Sequence, residues 1–243
     1  MAQEDKIDVN AKNDEKKTGF IMACENKHSE VIDLIIEKAE SFQIDLQCKD
    51  DGNKSGFDYF PEHFLNLLEK AIVNKDFDKA FLIKKEFIHD FLFNAIERDE
   101  EMAIAMIDSS QRLNLSLSER NERNRTPLNL ACRSFRPKIA KAIMCQAKVQ
   151  DIAINYNTAF INACDNGLTL IVAMMLEMAQ ELKIDLNAKD QWKRTGFILA
   201  CEYKRSEVID LIMAKAESLQ IDLQCKDEDD KSGFDYFPEH FKK

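Results

Sequence analysis

Apolar residues fall along this chain in short helical stripes separated by polar tips. From Thr18, the positions Phe20, Ile21, Ala23 and Cys24 fit about two turns of helix. The Thr18 hydroxyl stands where it would cap the start of that helix. The pattern breaks at Asn26-Lys27 and resumes near Ser29-Glu30 with Val31, Ile32, Leu34, Ile35, Ile36 and Ala39. That second stripe is wider than a helix with one buried face requires. It predicts a helix with neighbours on several sides, because each large aliphatic gains about 1.5–3 kcal/mol on full burial and one helix pair cannot bury them all. Next, Ile44-Asp45-Leu46-Gln47-Cys48-Lys49-Asp50 alternates apolar and polar residues and runs into a polar turn. Such a stretch predicts an extended, hairpin-like finger.

The same grammar recurs. Thr18-Gly19-Phe20-Ile21-Met22-Ala23-Cys24 returns as Thr126-Pro127-Leu128-Asn129-Leu130-Ala131-Cys132, as Thr158-Ala159-Phe160-Ile161-Asn162-Ala163-Cys164 and as Thr195-Gly196-Phe197-Ile198-Leu199-Ala200-Cys201. A longer duplication encloses it: Ile7–Phe64 and Ile184–Phe241 align without a gap and agree at roughly three positions in four. A period in the thirties signals a stack of small units, and such stacks usually serve as binding surfaces.

Helix, turn, helix and finger, with Thr-Pro-Leu-x-x-Ala at the first helix, resemble the ankyrin repeat. Thr126-Pro127-Leu128-Asn129-Leu130-Ala131 is the nearest match to the family motif. The resemblance implies an all-α solenoid, a single array over residues 1–243. Its units run approximately 17–53, 54–88 (divergent), 89–124, 125–156, 157–193 and 194–230, with a partial unit at 231–243. The family places Gly in the turn between the helices; here only Gly167 does so, while Lys27, Phe135 and Lys204 fill the slot elsewhere. A non-Gly residue in that left-handed conformation costs about 1–2 kcal/mol. In the divergent unit a helix is predicted to start at Pro61 and to bury Leu65, Leu67, Leu68, Ala71 and Ile72. The stretch Lys84–Asp90 offers no clear finger and is expected to form an irregular joint. The partial last unit favours a fragment of a longer array.

The formal net charge is -10, with 45% hydrophobic and 32% charged residues. The acidic balance argues against nucleic acid and anionic membranes as partners. No apolar run approaches the roughly 18–20 residues that cross a bilayer, and the acidic start, Met1-Ala2-Gln3-Glu4-Asp5, is no secretory signal. Of seven cysteines, Cys24, Cys132, Cys164 and Cys201 share one repeat position, which suits buried thiols in a reducing compartment. The cytoplasm is therefore expected, with the nucleus left open. No CxxC pair, His cluster, GxGxxG or phosphate loop is present, so no metal, cofactor or enzymatic activity is implied. His28, His63, His89 and His240 are read as structural, the His89-Asp90 pair included.

The finger tips vary while the helices repeat. Trp192 is the only tryptophan, and its counterpart in the first copy is Glu15, so packing does not demand an aromatic there. Exposed Trp, Tyr and Arg dominate interface energies. Arg123, Arg125, Tyr156, Trp192, Lys193 and Arg194 are accordingly expected to form a basic, aromatic centre between acidic ends. Such a surface suits a partner protein or peptide with an acidic segment. The competing expectation is the recognition part of a larger ankyrin-containing enzyme or membrane channel. The resemblance also marks Asn10 and Asn187 as matching a position of asparagine hydroxylation.

Overall fold

A computed structural model describes residues 7–74 and 85–242, and among these it is all-helical, with no strand. In chain order the helices are α1 (Gly19–Glu25), α2 (Ser29–Phe42), α3 (Gly56–Tyr59), α4 (Pro61–Val73), α5 (Lys85–Arg98), α6 (Glu100–Asp108), α7 (Pro127–Arg133), α8 (Pro137–Val149), α9 (Asn157–Asp165), α10 (Thr169–Met178), α11 (Gly196–Glu202), α12 (Ser206–Lys215) and α13 (Gly233–Tyr236). A 3-10 turn follows at Pro238–Phe241. The chain divides into two compact units, one running to Phe91 with Arg112–Leu115, the other comprising Leu92–Gln111 and the residues from Ser116 onward.

In the first unit, α1 packs on both α2 and α3. Phe20, Phe57 and Phe64 meet edge-on and tilted, with ring centroids 4.7–6.1 Å apart, an arrangement aromatic rings favour. Pro61 does open α4, and the chain buries Phe64, Leu68, Ala71 and Ile72 there. Leu65 and Leu67 are only half-buried, because the Phe64 ring takes the place against Phe20. The last residues of the divergent 54–88 unit fall partly outside the described residues, which resume at 85. The expected irregular joint at Lys84–Asp90 is not seen in its described part: residues 85–90 belong to α5.

In the second unit the helices form two rows. First helices pack on first helices, α7 on α9, α9 on α11 and α11 on α13. Second helices follow suit, α6 with α8, α8 with α10 and α10 with α12. The small residues of the repeated motif permit this approach. A Cβ on Gly196 would lie 2.9 Å from the Cys164 Sγ, and one on Gly233 would lie 3.0 Å from the Cys201 Sγ and 2.6 Å from the Phe197 ring.

The predicted caps and turns recur at named residues. Thr18, Thr126 and Thr195 accept from the backbone N–H groups of Ile21, Asn129 and Ile198. Between the helices of each pair, Lys27, Phe135, Gly167 and Lys204 all have φ between 55° and 67°. The residue after each, His28, Arg136, Leu168 and Arg205, donates its N–H back to the repeated alanine carbonyl, closing the helix in a Schellman-type turn. One motif departs: α9 begins at Asn157, so Thr158 lies inside the helix and caps nothing.

Candidate functional site

Five tips share one construction. Asn13, Asp50, Asn121, Asp190 and Asp227 each donate their N–H to the carbonyl four residues on, at 2.9–3.0 Å. The Oδ1 atom of the same residue accepts from the N–H of that fourth residue, Lys17, Lys54, Arg125, Arg194 or Lys231. The residue between, Lys16, Asn53, Asn124, Lys193 or Asp230, is left-handed, with φ of 57–61°. A short carboxylate or amide at the first position is what this closure needs, since only such a side chain reaches its own backbone two to four residues on. Adjacent tips in each copy are joined through the main chain: Asp51 N–H donates to the Glu15 carbonyl at 3.2 Å, and Glu228 N–H to the Trp192 carbonyl at 3.1 Å. In the first copy a Lys16–Asp51 ion pair at 2.7 Å adds to the link.

The residue that ends each tip is basic in all five cases, and it stands one place before the capping Thr or Ser. In two units it forms an ion pair with an acid eight residues on, at the end of the first helix. Lys17 Nζ lies 2.8 Å from Glu25, and Arg194 Nη1 lies 2.9 Å from Glu202. In the unit starting at Arg125 the second position holds Arg133. Two positive charges thus occupy places that hold an ion pair in the Lys17 and Arg194 units. Neither guanidinium has an ion pair or a side-chain hydrogen bond among the described residues. Arg125 is half-buried, and burial, then the charges of Arg133 and Arg123, push its pKa below the ordinary arginine value. Glu97 offsets this through space only. Asp165, half-buried at the end of α9, is within electrostatic reach of Arg133, yet burial still raises its carboxyl above 3.8.

The six residues predicted from sequence separate into two groups. Arg123 and Arg125 belong to this cluster. Arg194 does not contribute a spare charge: it bonds Asp190 and Glu202 and lies 4.6 Å from the Trp192 ring centroid. Trp192 is 45% exposed, and Lys193 is exposed at the left-handed tip position. Tyr156, expected at a short tip, is 5% exposed, because the chain enters α9 directly and the ring turns inward at its start. It therefore offers no exposed face. Arg133 was missed in the sequence; comparing charge signs at the two paired positions from unit to unit would have found it.

Other chemistry is confined. Cys132 and Cys201 are buried, and burial pushes each thiol up to about 12, far from the thiolate a nucleophile needs. Among the described residues no group of three or more His, Cys, Asp or Glu is placed to hold a metal ion. Nor is any helix among them long and apolar enough to cross a membrane. Asn10 and Asn187 bridge neighbouring loops: Asn10 donates to the Gln43 carbonyl and accepts from Asp45 N–H, and Asn187 does the same with Gln220 and Asp222. No protein-family model matches the chain, and no curated protein matches it.

Proposed function

We propose that this chain is a non-enzymatic interaction module of the ankyrin-repeat type, which holds a segment of a partner protein through an acidic group seated at Arg125 and Arg133. One observation carries the reading: the like-charge pair Arg125/Arg133 stands where Lys17–Glu25 and Arg194–Glu202 form ion pairs. In the tips ending at Lys54 and Lys231 the acid eight residues on, Glu62 or Glu239, is also in an ion pair, with Lys27 or Lys204. Only the Arg125 unit lacks that acid, and a partner would supply the anion. Arg123 adds a further positive charge on the same tip, and the exposed Trp192 offers an apolar contact on a different tip. The paired rows of first and second helices support the solenoid reading, as do the four left-handed turns. The free, mostly buried cysteines favour a reducing, intracellular setting.

The test is selection of peptides from a random display library on the intact chain. Enriched sequences should carry Asp or Glu, and their binding should be lost in Arg133→Glu, which recreates the pairing of the other units. Absence of any enriched peptide, or equal binding to Arg133→Glu, would overturn the reading.

A further inference from the structure

The group that belongs between the two arginines can be specified more closely, on the basis of the function proposed above. In the Lys17–Glu25 and Arg194–Glu202 units one cation meets one carboxylate, and the two positions sum to zero. In the exceptional unit they sum to plus two, and Arg123 stands close enough to act on Arg125 as a third positive charge. A single carboxylate from a partner could pair with only one of the two, while Glu97 and Asp165 act on them through space without an ion pair. A phosphomonoester carries about -1.5 to -2 at pH 7 and three acceptor oxygens. It matches both.

The residue type agrees. The first position is Lys in three of the five tips and Arg in two, so charge alone does not require a guanidinium there. Where the acid is missing, both positions are Arg. Planar guanidinium groups donate bidentately to a phosphate, with direction as well as charge, whereas ammonium groups act as point charges. Burial adds weight, since a half-buried Arg125 beside two like charges gains most from a dianion.

The surroundings limit the ligand to one such group. Glu97 acts through space on Arg125, Asp165 lies within electrostatic reach of Arg133, and Asp190 and Glu202 are bound to Arg194. A nucleic acid lays a continuous row of phosphates on a basic track, and the acids within electrostatic reach of both arginines break any such track here. We infer that Arg125 and Arg133 form the seat for a phosphorylated serine or threonine side chain on a protein partner, with Arg123 as a flanking contact.

The intact chain would be assayed by fluorescence anisotropy against three degenerate peptide libraries that differ only in a fixed central residue: phosphoserine, glutamate or serine. A short single-stranded oligonucleotide and inorganic phosphate serve as further probes. The expected result is binding of the phosphoserine library on the order of tenfold tighter than the glutamate library, with the serine library weaker still. Arg133→Lys should lose several-fold of the phosphoserine preference while keeping charge, and Arg133→Glu should abolish it. Inorganic phosphate should compete only at far higher concentration than the peptide. Equal binding of the glutamate and phosphoserine libraries would overturn this inference and leave the acidic-peptide reading standing. No binding by any library would overturn both. Tighter binding of the oligonucleotide, or a phosphoserine preference that persists in Arg133→Glu, would place the anion elsewhere and also overturn it.

Discussion

Gly196 leaves bare the spot to which Cys164 comes: a Cβ there would stand 2.9 Å from the Cys164 Sγ and 2.9 Å from the Phe160 ring. Both neighbours are fully buried and sit in helix α9, so neither moves cheaply. Gly196→Ala should destabilise the chain by about 1–3 kcal/mol through overpacking. The same change at Gly19, where nothing lies within 4 Å, should be neutral or slightly stabilising. Denaturant melts of the two variants check the contrast, and equal losses would refute the packing account.

Phe135 holds φ at 58° between α7 and α8 while its side chain is 60% exposed. A bulky residue in the left-handed region carries a steric cost, and this one recovers little by burial. Phe135→Gly is expected to raise stability by about 1 kcal/mol. The midpoint of urea unfolding measures it; a lower midpoint would mean that the ring has a packing role after all.

Tyr59 and Tyr236 each donate a hydroxyl hydrogen bond to the first residue of a tip, Asp50 and Asp227. The Tyr59 hydroxyl, then the Lys54 backbone N–H, holds the Asp50 carboxyl below the usual 3.8. A carboxyl depressed in the folded state stabilises fully above its unfolded value, and that stabilisation fades as pH falls through the folded value. Tyr59→Phe should therefore lower the melting temperature at pH 7, and the gap from wild type should shrink below about pH 4. A gap that widened in acid would reverse the sign of this argument.

The thiols divide by exposure. Cys145 is exposed, whereas Cys24, Cys132, Cys164 and Cys201 are buried. Burial raises Cys24 and Cys132 to about 12. Native labelling with iodoacetamide, read by peptide mass spectrometry, should modify Cys145 first and leave the four buried residues unmodified until the chain unfolds. Rapid native labelling of Cys132 would contradict its place in the core.

Arg133→Glu should also act on the free protein. It replaces repulsion at Arg125 by the ion pair seen at Lys17–Glu25, for a gain of about 0.2–1 kcal/mol at an exposed site. Binding and stability would then move in opposite directions, a result that a simply misfolded variant cannot imitate. Thermal unfolding beside the binding assay reads both.

Much of this was legible from residue types. Thr18, Thr126 and Thr195 marked helix starts because a hydroxyl there has one obvious donor to satisfy, and Pro61 marked another because its missing N–H costs nothing in the first turn. Lys27, Phe135 and Lys204 were placed in left-handed turns by alignment with Gly167. Thr158 misled, because an identical motif starts its helix earlier when the preceding loop is short. Tyr156 misled for the same reason: a three-residue tip is too short to hold its ring away from the core. Arg194 was chosen for its charge, but Asp190 and Glu202 already neutralise it, and pairing across eight residues is visible only once the first helix is in place.

The main-chain bonds between tips have a consequence for how this surface changes over time. Asp51 reaches Glu15, and Glu228 reaches Trp192, through atoms that every residue but proline possesses. Glutamate and tryptophan have in fact exchanged at that place between the two copies without disturbing the link. At Glu15 and Trp192 the link is thus independent of the side chain, and drift or selection can rewrite what these two positions present without breaking it.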